Sequence, residues 1–83
     1  MQTCLITFRS VTPAQRGESA LLQEGIVSTI HRTPKMLADR GCGYSLRLRQ
    51  HQLHSAVEIL RRRGIPYGKT YCLKNGIPEE VDL

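Results

Sequence analysis

Eighty-three residues suffice for one small domain, which buries only about 60 to 65% of the surface its unfolded chain exposes, so the core must be thin. Hydrophobic residues make up 40% of the chain and charged ones 23%, the balance of an ordinary globular domain, and no apolar run approaches the roughly 18 residues of a membrane helix. The formal charge of +5 understates the body: residues 74–83 carry one Lys against three acids, which leaves residues 1–73 at +7, and such a body attracts anions. The N-terminus has no basic segment followed by an apolar core and a small-residue cleavage site, so no secretion signal is expected. Three cysteines, an odd number without CxxC spacing, do not make a disulfide framework and point to a reducing cytoplasm.

In chain order, the first strand is expected over Cys4 to Arg9, with Cys4, Ile6 and Phe8 on one face and Leu5, Thr7 and Arg9 on the other. Thr12, Pro13 and Gln15 then read as N-cap, first-turn proline and distal residue of a capping box. The first helix is expected from about Pro13 to Glu24, packing through Ala14, Gly17, Ala20 and Leu21, with Gly25 as the left-handed stop. Gly17 costs about 1 kcal/mol of helix propensity relative to Ala, which a close approach to the sheet would explain. A second strand takes Ile26 to His31 or Arg32. Thr33-Pro34 repeats the cap-and-proline signal, predicting one short helical turn over Lys35 to Asp39.

Strand three follows, because Tyr44, Leu46 and Leu48 alternate with Ser45, Arg47 and Arg49. Leu53, Ala56, Val57 and Leu60 fall at i, i+3, i+4 and i+7, an amphipathic helix from about His51 to Arg63, and Gly64 ends it. Ile65 to Leu73 is the fourth strand, marked as an edge by Pro66 and Gly68. Asn75-Gly76 turns the chain into an acidic tail expected to be poorly ordered. The order β-α-β-β-α-β is that of an α+β, ferredoxin-like split βαβ unit. Right-handed crossovers give a four-stranded antiparallel sheet in the order 4-1-3-2, with both helices on one face. The expectation is a single domain over residues 1–73 and a tail over residues 74–83.

One sheet edge then holds the end of strand one, the start of helix one, the strand two to three loop and the end of helix two. It would gather Arg9, Arg32, Lys35, Arg40, Arg61, Arg62 and Arg63 against Asp39 alone. Cys42 stands among them between Gly41 and Gly43, which give it no neighbouring side chains for shelter and let backbone amides approach a bound atom. Cationic neighbours and a helix N-terminus favour a thiolate. The alternative is a small residue in a tight turn. Arg9, Ser10, Thr12, Lys35 and Arg40 are the candidate anion-binding groups.

The remaining candidates carry weaker signals. Cys4 opens strand one and Cys72 closes strand four, so antiparallel pairing brings both to the opposite edge, about 17–20 Å from Cys42, where each reads as a small buried hydrophobe. His51 and His54 lie three residues apart at the start of helix two, but no third ligand converges on them and no metal site is expected. His31 ends strand two and is a candidate proton donor.

Three stretches resemble one bacterial family. They are Cys-Leu-Ile-Thr-Phe-Arg-Ser-Val-Thr-Pro-Ala near the start, Thr-Pro-Lys-Met-Leu-Ala-Asp-Arg-Gly-Cys-Gly-Tyr-Ser-Leu-Arg in the middle and Ala-Val-Glu-Ile-Leu-Arg-Arg-Arg-Gly-Ile before the last strand. Across about residues 3 to 73 the chain is similar to the selenium/sulfur carrier protein-like family, whose pattern falls here on Thr7 to Ser10, Pro34 and Cys42-Gly43. The resemblance implies that Cys42 carries a persulfide or selenide for transfer between donor and acceptor proteins. This needs no metal or organic cofactor and no catalytic turnover in the enzymatic sense.

A competing expectation is a binding module for anions or nucleic acid that uses the basic edge. Reading single-stranded RNA on such a sheet requires aromatics on its open face. That face is expected to show Leu5, Thr7, Ser45, Arg47 and Arg49, so base stacking is disfavoured and only phosphate binding is left. A third reading is a small-anion sensor or a homodimer formed through the open sheet face.

Overall fold

Continuous burial from Cys4 to Phe8 along Thr3–Phe8 (β1) marks it as the strand around which the sheet is assembled. The computed structural model describes residues 2–37 and 43–83. After β1 come α1 (Val11–Gln23), β2 (Thr29–Arg32), a 3-10 turn (Lys35–Leu37), β3 (Tyr44–Arg49), a second 3-10 turn (Gln50–Gln52), α2 (Leu53–Arg62), β4 (Thr70–Lys74) and β5 (Ile77–Glu80). The sheet order is β2-β3-β1-β4-β5, and every neighbouring pair is antiparallel.

Two expectations are corrected by this order. The sheet has five strands, and β4 is interior because β5 pairs with it from Lys74↔Ile77 to Tyr71↔Glu80. Asn75 and Gly76 both take left-handed backbone angles, φ 54° and 79°, as a two-residue hairpin requires. Residues 77–80 therefore belong to the sheet, whereas the sequence suggested an unstructured acidic tail. Beyond β5, Val81 donates its N–H to the Thr70 carbonyl at 2.8 Å, and the Thr70 hydroxyl donates to the Val81 carbonyl at 2.6 Å. The signals that had suggested an edge, Pro66 and Gly68, lie in the connection before β4, which starts at Thr70 rather than Ile65.

Cys4, Ile6 and Phe8 of β1 and Leu46 and Leu48 of β3 meet Ala14, Ala20 and Leu21 of α1 and Ala56, Val57 and Leu60 of α2 in one core. Both helices thus cover the same sheet face. Gly17 explains how closely α1 can sit. A Cβ there would lie 3.2 Å from Phe8 Cζ, 3.2 Å from Leu60 Cδ2 and 3.3 Å from Leu46 Cδ1, tighter than ordinary contact, so the lost helix propensity is exchanged for packing distance.

On the opposite face the alternation of β1 and β3 places Leu5, Thr7, Ser45 and Arg47. Leu5 and Ser45 are wholly buried and Thr7 nearly so, so this face is less open than the sequence suggested. Leu5 is flanked in register by Arg47 on β3 and Tyr71 on β4, side chains long enough to cover it.

α1 starts one step before the predicted cap. Ser10, with extended φ of −144°, is the N-cap and makes no side-chain cap bond, and Thr12 lies inside the first turn. The proline at position 13 still occupies the first turn, where its missing N–H costs nothing.

Candidate functional site

Cys42, Gly41 and Arg40 lie outside the described residues, together with Ala38 and Asp39 at the end of the predicted turn; what the structure describes is the frame from which that segment departs. Phe8 pairs with Tyr44 and Arg32 also pairs with Tyr44, so β3 begins between the ends of β1 and β2. One residue further, Thr33 donates its N–H to the Gly43 carbonyl at 3.1 Å. Gly43 is thereby pinned on the β2 side, while Arg9 and Ser10 leave β1 on the other.

Gly43 does not need glycine's left-handed freedom. It lacks a positive φ, and a Cβ added there would meet nothing within 4 Å. Neither a left-handed backbone nor close packing therefore requires glycine at position 43. Pro34 and the 3-10 turn over Lys35–Leu37 follow Thr33, with Leu37 N–H donating to the Pro34 carbonyl at 2.8 Å, as the cap-and-proline signal predicted.

Four of the candidate anion-binding groups are described, and all of them, Arg9, Ser10, Thr12 and Lys35, are exposed. Arg9 and Lys35 form no ion pair among the described residues. Because Ser10 makes no side-chain cap bond, the free amides of the first turn of α1 keep their hydrogen-bonding capacity and their share of the positive dipole end. Thr33 Oγ1 and Ser45 Oγ are buried without a hydrogen-bond partner among the described residues. Both flank Gly43, one across the β2–β3 pair and one two residues along β3. Arg32 is committed differently, its guanidinium carbon 5.6 Å from the centroid of the Tyr44 ring, within cation–π range.

The expected rim of seven cations is smaller than the sequence suggested. Arg62 and Arg63 both donate to Glu24 Oε2, and Arg63 also reaches Gln23 Oε1 at 2.6 Å. Arg61 donates to the Tyr67 hydroxyl at 2.9 Å and to the Leu83 carbonyl at 3.1 Å. Long flexible stems carry the Arg62 and Arg63 heads from the end of α2 to the C-terminal end of α1. There Glu24 would otherwise oppose the negative end of the helix dipole. The Arg62 hydrogen bond holds the Glu24 carboxyl below the usual carboxylate range, desolvation opposes it, and Arg63 adds in the same direction.

Cys4 and Cys72 hold a relationship that was overlooked. They face each other directly in the β1–β4 register, their Cα atoms are 3.9 Å apart, and they form a disulfide across a sequence separation of 68. Both are buried as expected, yet they are partners rather than separate small hydrophobes, which removes cysteine usage as an argument for a reducing compartment. The available signal was the pairing itself: one opens β1, the other lies in β4, and antiparallel register brings them opposite.

His54 lies 3.9 Å from Glu58, and His31 Nε2 is 3.0 Å from the Thr29 hydroxyl. Among the described residues no three His, Cys, Asp or Glu side chains converge as a metal site, and no helix is long and apolar enough to cross a membrane.

A family model described as "Putative Se/S carrier protein-like" matches residues 3–72, which spans β1 through most of β4. No curated protein and no solved structure matches the chain.

Proposed function

Since the chain belongs to the Se/S carrier protein-like family, we propose that it holds a sulfur or selenium atom on Cys42 and passes it from a donor protein to an acceptor protein. The Cys42 thiolate attacks the outer sulfur of a donor persulfide. The donor thiolate leaves, and Cys42 becomes a persulfide. An acceptor thiolate then attacks that outer sulfur and releases Cys42 as thiolate. Two sulfur–sulfur bonds form, two break, and no net oxidation occurs, so neither a metal nor an organic cofactor is called for. Selenium would travel the same way, as the outer atom of a Cys42 S–Se bond taken from a donor S–Se bond with the donor thiolate as leaving group.

The observation that carries the reading is the frame around Gly43. Cys42 immediately precedes a glycine pinned by Thr33, with Arg9, Ser10 and Lys35 exposed on the chain ends beside it. A thiolate or persulfide anion is stabilised by such donors and cations. The site is carried by a five-stranded antiparallel sheet with both helices on one face. The binding-module alternative gains little from the structure, because Tyr71 is the one aromatic that register places beside Leu5 on the sheet face away from the helices.

Intact mass spectrometry of protein purified without reductant tests this directly. The expected result is an adduct of sulfur or selenium, located on the Cys42 peptide and removed by reductant. A thiol at Cys42 that stays unmodified after exposure to polysulfide and to selenodiglutathione, which hands over selenium by thiolate exchange, would overturn it.

A further inference from the structure

The end of the sheet that holds the Cys4–Cys72 pair carries chemistry that the Cys42 reading does not use. Cys72 lines a cavity of about 390 Å³ together with Gln2, Gln50, His54, Lys74 and Glu79. The volume falls in the lower range of small-molecule sites. Its disulfide partner Cys4 is not part of that lining and is fully buried, whereas Cys72 keeps 8% exposure. Of the two bonded residues, Cys72 thus borders the cavity and Cys4 is shielded by the core. The polar lining is mixed in sign: Lys74 and His54 offer positive or hydrogen-bonding groups and Glu79 and Glu80 negative ones, a set that suits a ligand carrying both an amino group and a carboxylate.

From this geometry we propose that the Cys4–Cys72 disulfide is a thiol-exchange site for small zwitterionic thiols, amino-acid or short-peptide thiols, which enter through this cavity and attack Cys72. In the first step the thiolate of the small thiol bonds to Cys72 Sγ. The bond to Cys4 breaks, and its electron pair stays on Cys4 Sγ, which takes up a proton. In the second step another small thiolate attacks the small-molecule sulfur of the mixed disulfide, leaving Cys72 as a thiol. The sum is two small thiols oxidised to their disulfide and one protein disulfide reduced to two thiols, and each step is reversible. The regiochemistry follows from access, since which sulfur is attacked and how it is reached both govern such exchange.

The test is run in full-length Cys42→Ser protein, so that it is independent of whether Cys42 carries sulfur. Folded protein is incubated with reduced glutathione as the probe, quenched in acid, alkylated and mapped by peptide mass. The expected result is a glutathione adduct on the peptide holding Cys72, none on the peptide holding Cys4, and then loss of the internal disulfide. A second pair of variants, Cys4→Ser and Cys72→Ser in the same background, is treated with oxidised glutathione after circular dichroism has shown which are folded. The lone Cys72 should be modified at least about tenfold faster than the lone Cys4. A disulfide that exchanges only after denaturant is added, an adduct on Cys4, or equal rates in the two variants would overturn the proposal. If either variant fails to fold, the disulfide-intact experiment decides alone.

Discussion

The N–H of Thr33 is bonded to the carbonyl of Gly43 at 3.1 Å, one residue pair beyond the last register pair of β2 and β3, Arg32↔Tyr44. That bond sets the two points from which the Cys42 segment leaves the sheet. The position of Gly43 tolerates a methyl group, since nothing lies within 4 Å of a built Cβ and its φ is not left-handed. Gly43→Ala is therefore expected to change folding stability by no more than about 1 kcal/mol in urea unfolding. If the missing side chain matters for access to Cys42, the same substitution slows alkylation of Cys42 while leaving the unfolding curve in place.

Gly17 is the opposite case. Alanine there gains about 1 kcal/mol of helix propensity but must press on Phe8, Leu60 and Leu46 at 3.2 to 3.3 Å. The two effects oppose each other, so Gly17→Ala should leave stability within about 1 kcal/mol of the parent. Gly17→Leu, which no small adjustment accommodates, should cost about 1–3 kcal/mol. Urea titration followed by circular dichroism distinguishes the two.

Glu24 gives the pH dependence a sign. Its carboxyl is held below the usual carboxylate range by Arg62 and Arg63, so the folded state binds a proton there less readily than the unfolded chain. The associated stability is present above the unfolded carboxylate pKa and is lost as pH falls through the lowered folded value. Glu24→Gln should flatten the acid side of the stability curve and leave the neutral-to-alkaline side with the same slope. Thermal melts across that range check it.

Closing a loop of 68 residues by a disulfide restricts the unfolded chain by an entropy worth about 4 kcal/mol in the chain-entropy model. Reduction of Cys4–Cys72, or replacement of both cysteines by alanine, should lower unfolding free energy by up to that amount, measured in urea with and without reductant.

How much of this was legible beforehand differs by element. β3 and α2 were written plainly, the first in the strict alternation Tyr44 to Arg49 and the second in the spacing of Leu53, Ala56, Val57 and Leu60, because burial on one face imposes those periods. The predicted contact of Gly17 was also readable, since a glycine within a helix needs a packing reason. β5 was missed because Pro78 and the acidic pair Glu79-Glu80 weaken strand propensity, and the Asn75-Gly76 turn was read as an exit rather than a hairpin. The pairing of Cys4 with Cys72 was hidden by counting cysteines instead of following the register that the predicted topology already implied. The fate of Arg61, Arg62 and Arg63 was not readable at all, since long side chains choose partners across elements and Glu24 is nearly forty residues away in sequence. At the candidate site, Arg9, Ser10 and Lys35 are exposed, and Thr33, which the sequence marked only as a cap, holds the Gly43 carbonyl.

Charge near the site can be separated from charge elsewhere. Arg9 and Lys35 sit on chain ends beside Gly43 and form no ion pair among the described residues, whereas Arg62 and Arg63 are committed to Glu24. Arg9→Gln with Lys35→Gln should slow iodoacetamide alkylation of Cys42 at neutral pH several-fold, by roughly the loss of local thiolate stabilisation. Arg62→Gln with Arg63→Gln should leave the rate within about twofold, because charges beyond a Debye length contribute little through solvent. Equal slowing in both pairs would show net charge acting in place of the local frame.

The central claim is that sulfur rides on Cys42, and a transfer assay tests it most directly. Protein is loaded with polysulfide, desalted, and mixed with cyanide, which takes sulfane sulfur as thiocyanate. The parent chain should release thiocyanate in proportion to the amount of protein, and Cys42→Ser should release none above background. Equal thiocyanate from the two proteins, or none from either, would contradict the account.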